Sequence, residues 1–109
     1  IPVKFAILNN NYLGMVRQWQ EMFYNKDYVA STYSANPDFV KLAKAFGIFG
    51  TRVTKQEEIT AAIHEAMDFD GPAIVDFIVE QEENVYPMIP SGMTVADIIE
   101  EPINERVTV

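Results

Sequence analysis

Cysteine is absent from the chain, which excludes disulfide bridges and cysteine-based metal centres. Histidine occurs once, His64, so too few imidazoles exist to build a zinc-type site. Basic residues are scarce: eight Lys and Arg face sixteen Asp and Glu, for a net charge of −8. That balance argues against nucleic acid as a partner. No apolar run approaches transmembrane length and no signal peptide is visible, so no membrane is expected as a partner either. A glycine-rich phosphate loop, a nucleophile elbow and a His-Glu zinc motif are all missing. So are internal repeats and low-complexity tracts. An initiator Met is lacking and the first strand begins almost at once, which reads either as a natural α/β domain or as a fragment of something larger.

What is present suffices for one small packed domain, since 49% of the 109 residues are hydrophobic. Val3, Phe5 and Ile7 alternate with Lys4 and Ala6 before Leu8, which predicts a strand over 3–8. Leu13, Val16, Gln20 and Phe23 share a helical stripe, with Met15, Trp19 and Met22 beside it, which predicts a helix over about 13–23. Residues 24–35 lack a clean period and read as a loop. Asn36-Pro37-Asp38 reads as a helix start with Asn36 at the N-cap. Phe39, Leu42, Ala43 and Phe46 form its stripe, and Gly47 its stop. A short strand over 48–53 is interrupted by Gly50. Thr54-Lys55-Gln56-Glu57 matches a capping box for a helix over 55–67, with Ile59, Ala62, Ile63 and Ala66 inward. The nearly continuous apolar run 73–79 reads as a strand covered on both faces. From Glu80 to Glu101 six carboxylates occur without a Lys or Arg, a solvated segment in which Thr94 and Asp97 cap one short helix over 95–100. The order β-α-α-β-α-β gives a parallel three-stranded sheet with helices on its faces, thin for a parallel sheet.

The candidate ligand edge is where the first strand ends in Asn9, Asn10 and Asn11, because ligands of open parallel sheets sit outside the carboxyl ends of strands. Carboxamide oxygens suit Mg²⁺ and carboxamide NH₂ groups suit phosphate. The plainer reading is a turn that uses Asn because Asn tolerates the left-handed region. Gly14, in the first helical turn, allows close backbone approach to a ligand. His64 has no Asp or Ser partner in sight. Trp19 reads as core or interface packing, and Asp76 as a strand-end carboxylate bonded to backbone.

The run Leu8-Asn9-Asn10-Asn11-Tyr12-Leu13-Gly14-Met15-Val16-Arg17-Gln18-Trp19-Gln20, followed by Phe23-Tyr24, resembles the catalytic subunits of acetohydroxyacid synthases (biosynthetic acetolactate synthases). Asn36-Pro37-Asp38-Phe39, Ala45-Phe46-Gly47, Gly71-Pro72 and Glu83 to Gly92 agree in order, so the resemblance covers essentially the whole chain. It implies the carboxy-terminal half of a three-layer α/β/α thiamine-diphosphate-binding domain, with 73–79 lying between 3–8 and 48–53. Residues 80–109 would form a tail over the active-site entrance. Asn10 would ligate Mg²⁺ through its carboxamide and Tyr12 through its main-chain carbonyl, with Gly14 and Met15 against the cofactor. Met15, Val16 and Trp19, with Ser91 and Gly92 of the tail, would border the substrate pocket.

The implied reaction decarboxylates pyruvate and joins the remainder to pyruvate or 2-oxobutyrate, toward branched-chain amino acids. The implied partners are the rest of the catalytic subunit, further copies in a dimer or tetramer, and a regulatory small subunit, in the cytoplasm or an organelle. The motif's upstream Gly-Asp-Gly, the activating glutamate and the FAD-binding middle domain are not in this sequence. The isolated chain is therefore expected to carry no catalytic residue and no activity. Another thiamine-diphosphate carboligase or decarboxylase, or an α/β interaction module without chemistry, remains the alternative.

Overall fold

A computed structural model describes residues 1–101; the end of the 80–109 tail, residues 102–109, lies outside the described residues. The elements are β1 (Lys4–Asn9), α1 (Gly14–Phe23), α2 (Phe39–Ala45), β2 (Phe49–Val53), α3 (Ile59–Asp68) and β3 (Ala73–Ile78). The strands form one parallel sheet in the order β1-β3-β2. The apolar run at 73–79 is central, as its lack of a polar face requires. Among the described residues no helix is long and apolar enough to cross a membrane.

Strand alternation sends side chains to two faces. Ala73 and Val75 face α3, where they pack with Val53, Ala62 and Ala66 in the main apolar cluster. On the other face Gly50 meets α2 so closely that a Cβ there would collide with the Ala43 Cβ. Gly50 thus continues the strand, and what it provides is close helix–strand packing. The helices on opposite faces complete the α/β/α layering.

Helix ends explain the largest differences from the sequence reading. Asp38, not Asn36, is the N-cap of α2; its carboxylate accepts the N–H groups of Val40 (3.1 Å) and Lys41 (3.2 Å). A charged oxygen at this position satisfies two orphan donors, which frees Asn36 for other contacts. Gly47, at φ 66°, ends α2 as expected, with its N–H on the Lys44 carbonyl and that of Ile48 on the Ala43 carbonyl. The helix expected over 55–67 opens with a 3₁₀ turn, Gln56–Glu58, before α3. Glu58 rather than Glu57 reaches back to the N–H groups of Thr54 and Lys55. The short helix expected over 95–100 is a single 3₁₀ turn, Val95–Asp97, held by Asp97 on Thr94.

The packing of α1 also departs from expectation. Its stripe residues Val16 and Phe23 are exposed, as are Met15 and Trp19, whereas the polar Arg17 and Gln18 are buried. The reason is that each polar side chain finds partners there: Gln18 bonds the tail backbone at Val85, and Arg17 pairs with the Glu21 and Glu82 carboxylates.

Candidate functional site

β1 ends one residue later than predicted, with Asn9 still in the strand and buried. The turn that follows is held by its own carboxamides. The Asn11 N–H donates to Asn9 Oδ1 (3.2 Å) and the Tyr12 N–H to Asn10 Oδ1 (3.0 Å). Asn11 sits at φ 60°, a conformation Asn tolerates better than most residues. The plain reading of the triplet as a turn is therefore correct, and the turn has a further property. It ends against a short antiparallel bridge between Tyr12 and Thr32, in which Leu13 and Tyr33 donate to the Ser31 and Asn11 carbonyls. Among the described residues the Tyr12 carbonyl takes no hydrogen bond.

Helix α1 starts two residues on. Leu13 offers no side-chain cap, so the first-turn N–H groups are left for water or a ligand. A Cβ on Gly14 would stand 3.2 Å from Asn10 Nδ2, so the glycine gives the Asn10 carboxamide room beside the helix. A cleft of about 210 Å³ borders the turn, lined by Ile7 to Tyr12 with Tyr33, Asn36 and Phe39. No group of three or more His, Asp or Glu gathers among the described residues. The oxygens offered here are neutral carboxamide and carbonyl ones, of the kind Mg²⁺ accepts.

Behind the turn lies an ionic group that sequence reasoning placed incorrectly. Asp76 is not a strand-end carboxylate on backbone; it sits within β3, 0% exposed, and bonds side chains. Arg52 Nε donates to Asp76 Oδ2 at 2.9 Å and Asn9 Nδ2 to Oδ1 at 3.0 Å. A buried carboxylate needs such partners to stay in place. Arg52 also reaches Asp38 at 3.2 Å. The Asp76 hydrogen bond raises the guanidinium pKa above its ordinary value, so Arg52 stays charged.

The second half of the site is where α1 meets the tail. Gln18, 1% exposed, grips Val85 by both backbone groups: Nε2 donates to its carbonyl (2.9 Å) and its N–H donates to Oε1 (3.0 Å). Arg17 pairs with Glu21 at 2.7 Å and with Glu82 at 3.1 Å, its guanidinium over the Tyr12 and Tyr28 rings. These bonds bring Ser91 to Trp19 across a cavity of about 260 Å³, also lined by Phe23, Tyr24, Pro90 and Met93. Trp19 is 44% exposed, so it is not core among the described residues. Met15 and Val16 stand exposed one turn earlier on α1, outside this cavity, and Gly92 follows Ser91 at φ 80° without lining it. His64 is exposed on α3, away from both halves. Arg17, Gln18, Asn36 and Asp76 were missed as site residues; only Asp76 carried a signal, a charge inside an apolar run.

A strand–Asn turn–helix at the carboxyl edge of a parallel sheet is a feature that comparison can test. The family model described as "Thiamine pyrophosphate enzyme, C-terminal TPP binding domain" matches residues 1–77. The chain belongs to this family. As a thiamine pyrophosphate (thiamine diphosphate) enzyme domain it is similar to the acetolactate synthase isozyme 2 large subunit of Escherichia coli, at 39% identity over 93% of the chain. It is 46% identical over 91% of the chain to the mitochondrial acetolactate synthase of Schizosaccharomyces pombe and to the chloroplastic acetolactate synthase 1 of Oryza sativa. The chain spans only 15–18% of the length of these three relatives. A solved Rhodococcus jostii thiamine diphosphate-dependent 4-hydroxybenzoylformate decarboxylase superposes with a TM-score of 0.64 at 31% identity, over 76% of this chain and 16% of that one.

Proposed function

We propose that this domain contributes part of the Mg²⁺-diphosphate anchor, and part of the substrate pocket, of an acetolactate synthase. The observation that carries the reading is the β1–α1 turn. Among the described residues its Tyr12 carbonyl is free and the α1 amides behind it have no side-chain cap, and its Asn10 carboxamide lies beside Gly14. Asn10 and Tyr12 each offer one oxygen to the cation. Gly14 and Met15, at the helix start, would lie against the cofactor, since a helix N-terminus favours a negative diphosphate. Bound thiamine diphosphate supplies the electron sink for 2-oxoacid decarboxylation and carboligation; the protein binds, orients and shields. Trp19 and Ser91 face each other across the cavity read as the acceptor pocket; Met15 and Val16, one turn earlier on α1, and Gly92, next to Ser91, are assigned to its border by the resemblance alone.

Mg²⁺ wants near-octahedral oxygen coordination, and two protein oxygens fall short of it. The remaining ligands would have to be supplied from outside this segment. The other assignments belong to the same reading: FAD held elsewhere, homo-oligomeric assembly, a regulatory small subunit, and a cytoplasmic or organellar location. The relatives at 39–46% identity support acetolactate synthesis over other chemistry. The likeness to a 2-oxoacid decarboxylase supports a second reading, decarboxylation without ligation. Product analysis with pyruvate separates them: acetolactate supports the first, acetaldehyde alone the second.

The decisive variant is Asn10→Ala in the full-length protein. It removes a metal ligand without touching the core. Activity falls steeply and excess Mg²⁺ with cofactor partly restores it. Unchanged cofactor affinity would move the ligand assignment elsewhere.

A further inference from the structure

We propose that Asn36 is a positioning residue for the cofactor turn, holding Asn9 and Asn11 on either side of Asn10. This rests on the reading of Asn10 and Tyr12 as the cation's ligands. Asn36 Nδ2 donates to Asn9 Oδ1 at 2.8 Å and to Asn11 Oδ1 at 3.0 Å. One amide group therefore bridges both flanks of the ligand residue. The bridge has a defined polarity. The Asp76 carboxylate only accepts, so it orients the Asn9 NH₂ toward itself. That turns Asn9 Oδ1 outward, where the Asn11 N–H and Asn36 Nδ2 both reach it.

Asn36 is presented by a restricted backbone, because it precedes Pro37 and is steered to extended conformations. The turn gains from such support: Asn11 sits in the left-handed region, which its side chain tolerates but does not by itself enforce. Fixing Asn9 and Asn11 fixes the peptide between them, and with it the direction of the Asn10 carboxamide and the Tyr12 carbonyl. Asn36 touches neither cation nor cofactor in this account; it acts through the turn.

The test is a Mg²⁺ titration of cofactor binding in the full-length apoprotein, followed by calorimetry without substrate. Asn36→Ala raises the Mg²⁺ needed for half-saturation about tenfold, the equivalent of two neutral hydrogen bonds lost from one pre-organised turn. At saturating Mg²⁺ and cofactor the KM for pyruvate stays unchanged, which a general loosening of the fold would not leave alone. Asn36→Asp keeps the shape but sets oxygens against Asn9 Oδ1 and Asn11 Oδ1, and produces at least the same rise. Should Asn36→Ala fail to fold, this isosteric variant carries the test. A folded Asn36→Asp with wild-type Mg²⁺ dependence overturns the proposal. Asn10→Ala runs alongside: if it too is normal, the cofactor reading itself fails, whereas a weakened Asn10→Ala with normal Asn36 variants removes only the positioning role.

Discussion

Gln18 and Val85 bind each other as two strands would, one carboxamide answering both the carbonyl (2.9 Å) and the N–H (3.0 Å) of a single tail residue. The pair ties the segment after Glu80 to helix α1, which would otherwise present a polar, unpaired side chain to a buried place. Gln18→Leu keeps the bulk and frees both Val85 groups. Val85 is itself exposed, so its freed groups turn to water and the loss is that of two net hydrogen bonds, about 0.5–1.5 kcal/mol each; the tail should open locally while the sheet stays intact. Hydrogen exchange checks this: the Val85 amide should lose protection, and amides of β3 should keep theirs. Equal protection of Val85 in both proteins would show that the clamp is not what holds the tail.

Trp19 borders the cavity to which the clamp brings Ser91. On the proposed reading, a flat indole wall there would pack the extra methyl of 2-oxobutyrate, which pyruvate lacks. One methylene in an apolar pocket discriminates by roughly 1–3 kcal/mol, about ten- to two-hundredfold. Trp19→Leu in the full-length enzyme should lower the preference for 2-oxobutyrate by about an order of magnitude on that arithmetic, with acetolactate formation retained. Product ratios and thermal unfolding on the same variant decide the matter. Lost stability with an unchanged ratio would make Trp19 a packing residue only.

Gly50 lets α2 come close to the sheet: a Cβ built there would collide with that of Ala43. Gly50→Ala forces helix and strand apart and should destabilise by about 1–3 kcal/mol, the range for overpacking a filled site. Adding Ala43→Gly relieves the clash but introduces a helical glycine, itself about 1 kcal/mol unfavourable. The double variant should therefore be partly restored in denaturant unfolding. A fully additive double variant would deny the contact.

Asp38 couples helix α2 to pH. Its carboxyl is held below the ordinary carboxylate range by the Lys41 backbone N–H first, then by Arg52 and Lys41 charges. A carboxylate depressed in the folded state stabilises fully above its unfolded pKa, about 3.9, and that stability disappears as pH falls through the lower folded value. Acid should thus weaken α2 below about pH 4 by that reference. Asp38→Asn, still able to cap but without charge, should show a flatter acid limb in unfolding measured against pH. The same limb in both proteins would assign the acid response to other carboxylates.

Three strands, three main helices and their order were legible because each is written in a local period or stop signal: alternation at 3–8, the apolar run at 73–79, Gly47 closing α2. The Asn turn and its carboxyl-edge location were legible for the same reason, since its Asx bonds span two residues. Tertiary structure alone decided the rest. Asn9 meets Asp76 and Gln18 meets Val85 across 67 positions of sequence, and Asn36 leaves the cap of α2 to reach a turn 25 and 27 residues earlier. No periodicity encodes such pairs. A buried polar side chain must find a partner, but which partner it finds depends on the elements that the folded sheet and tail bring beside it.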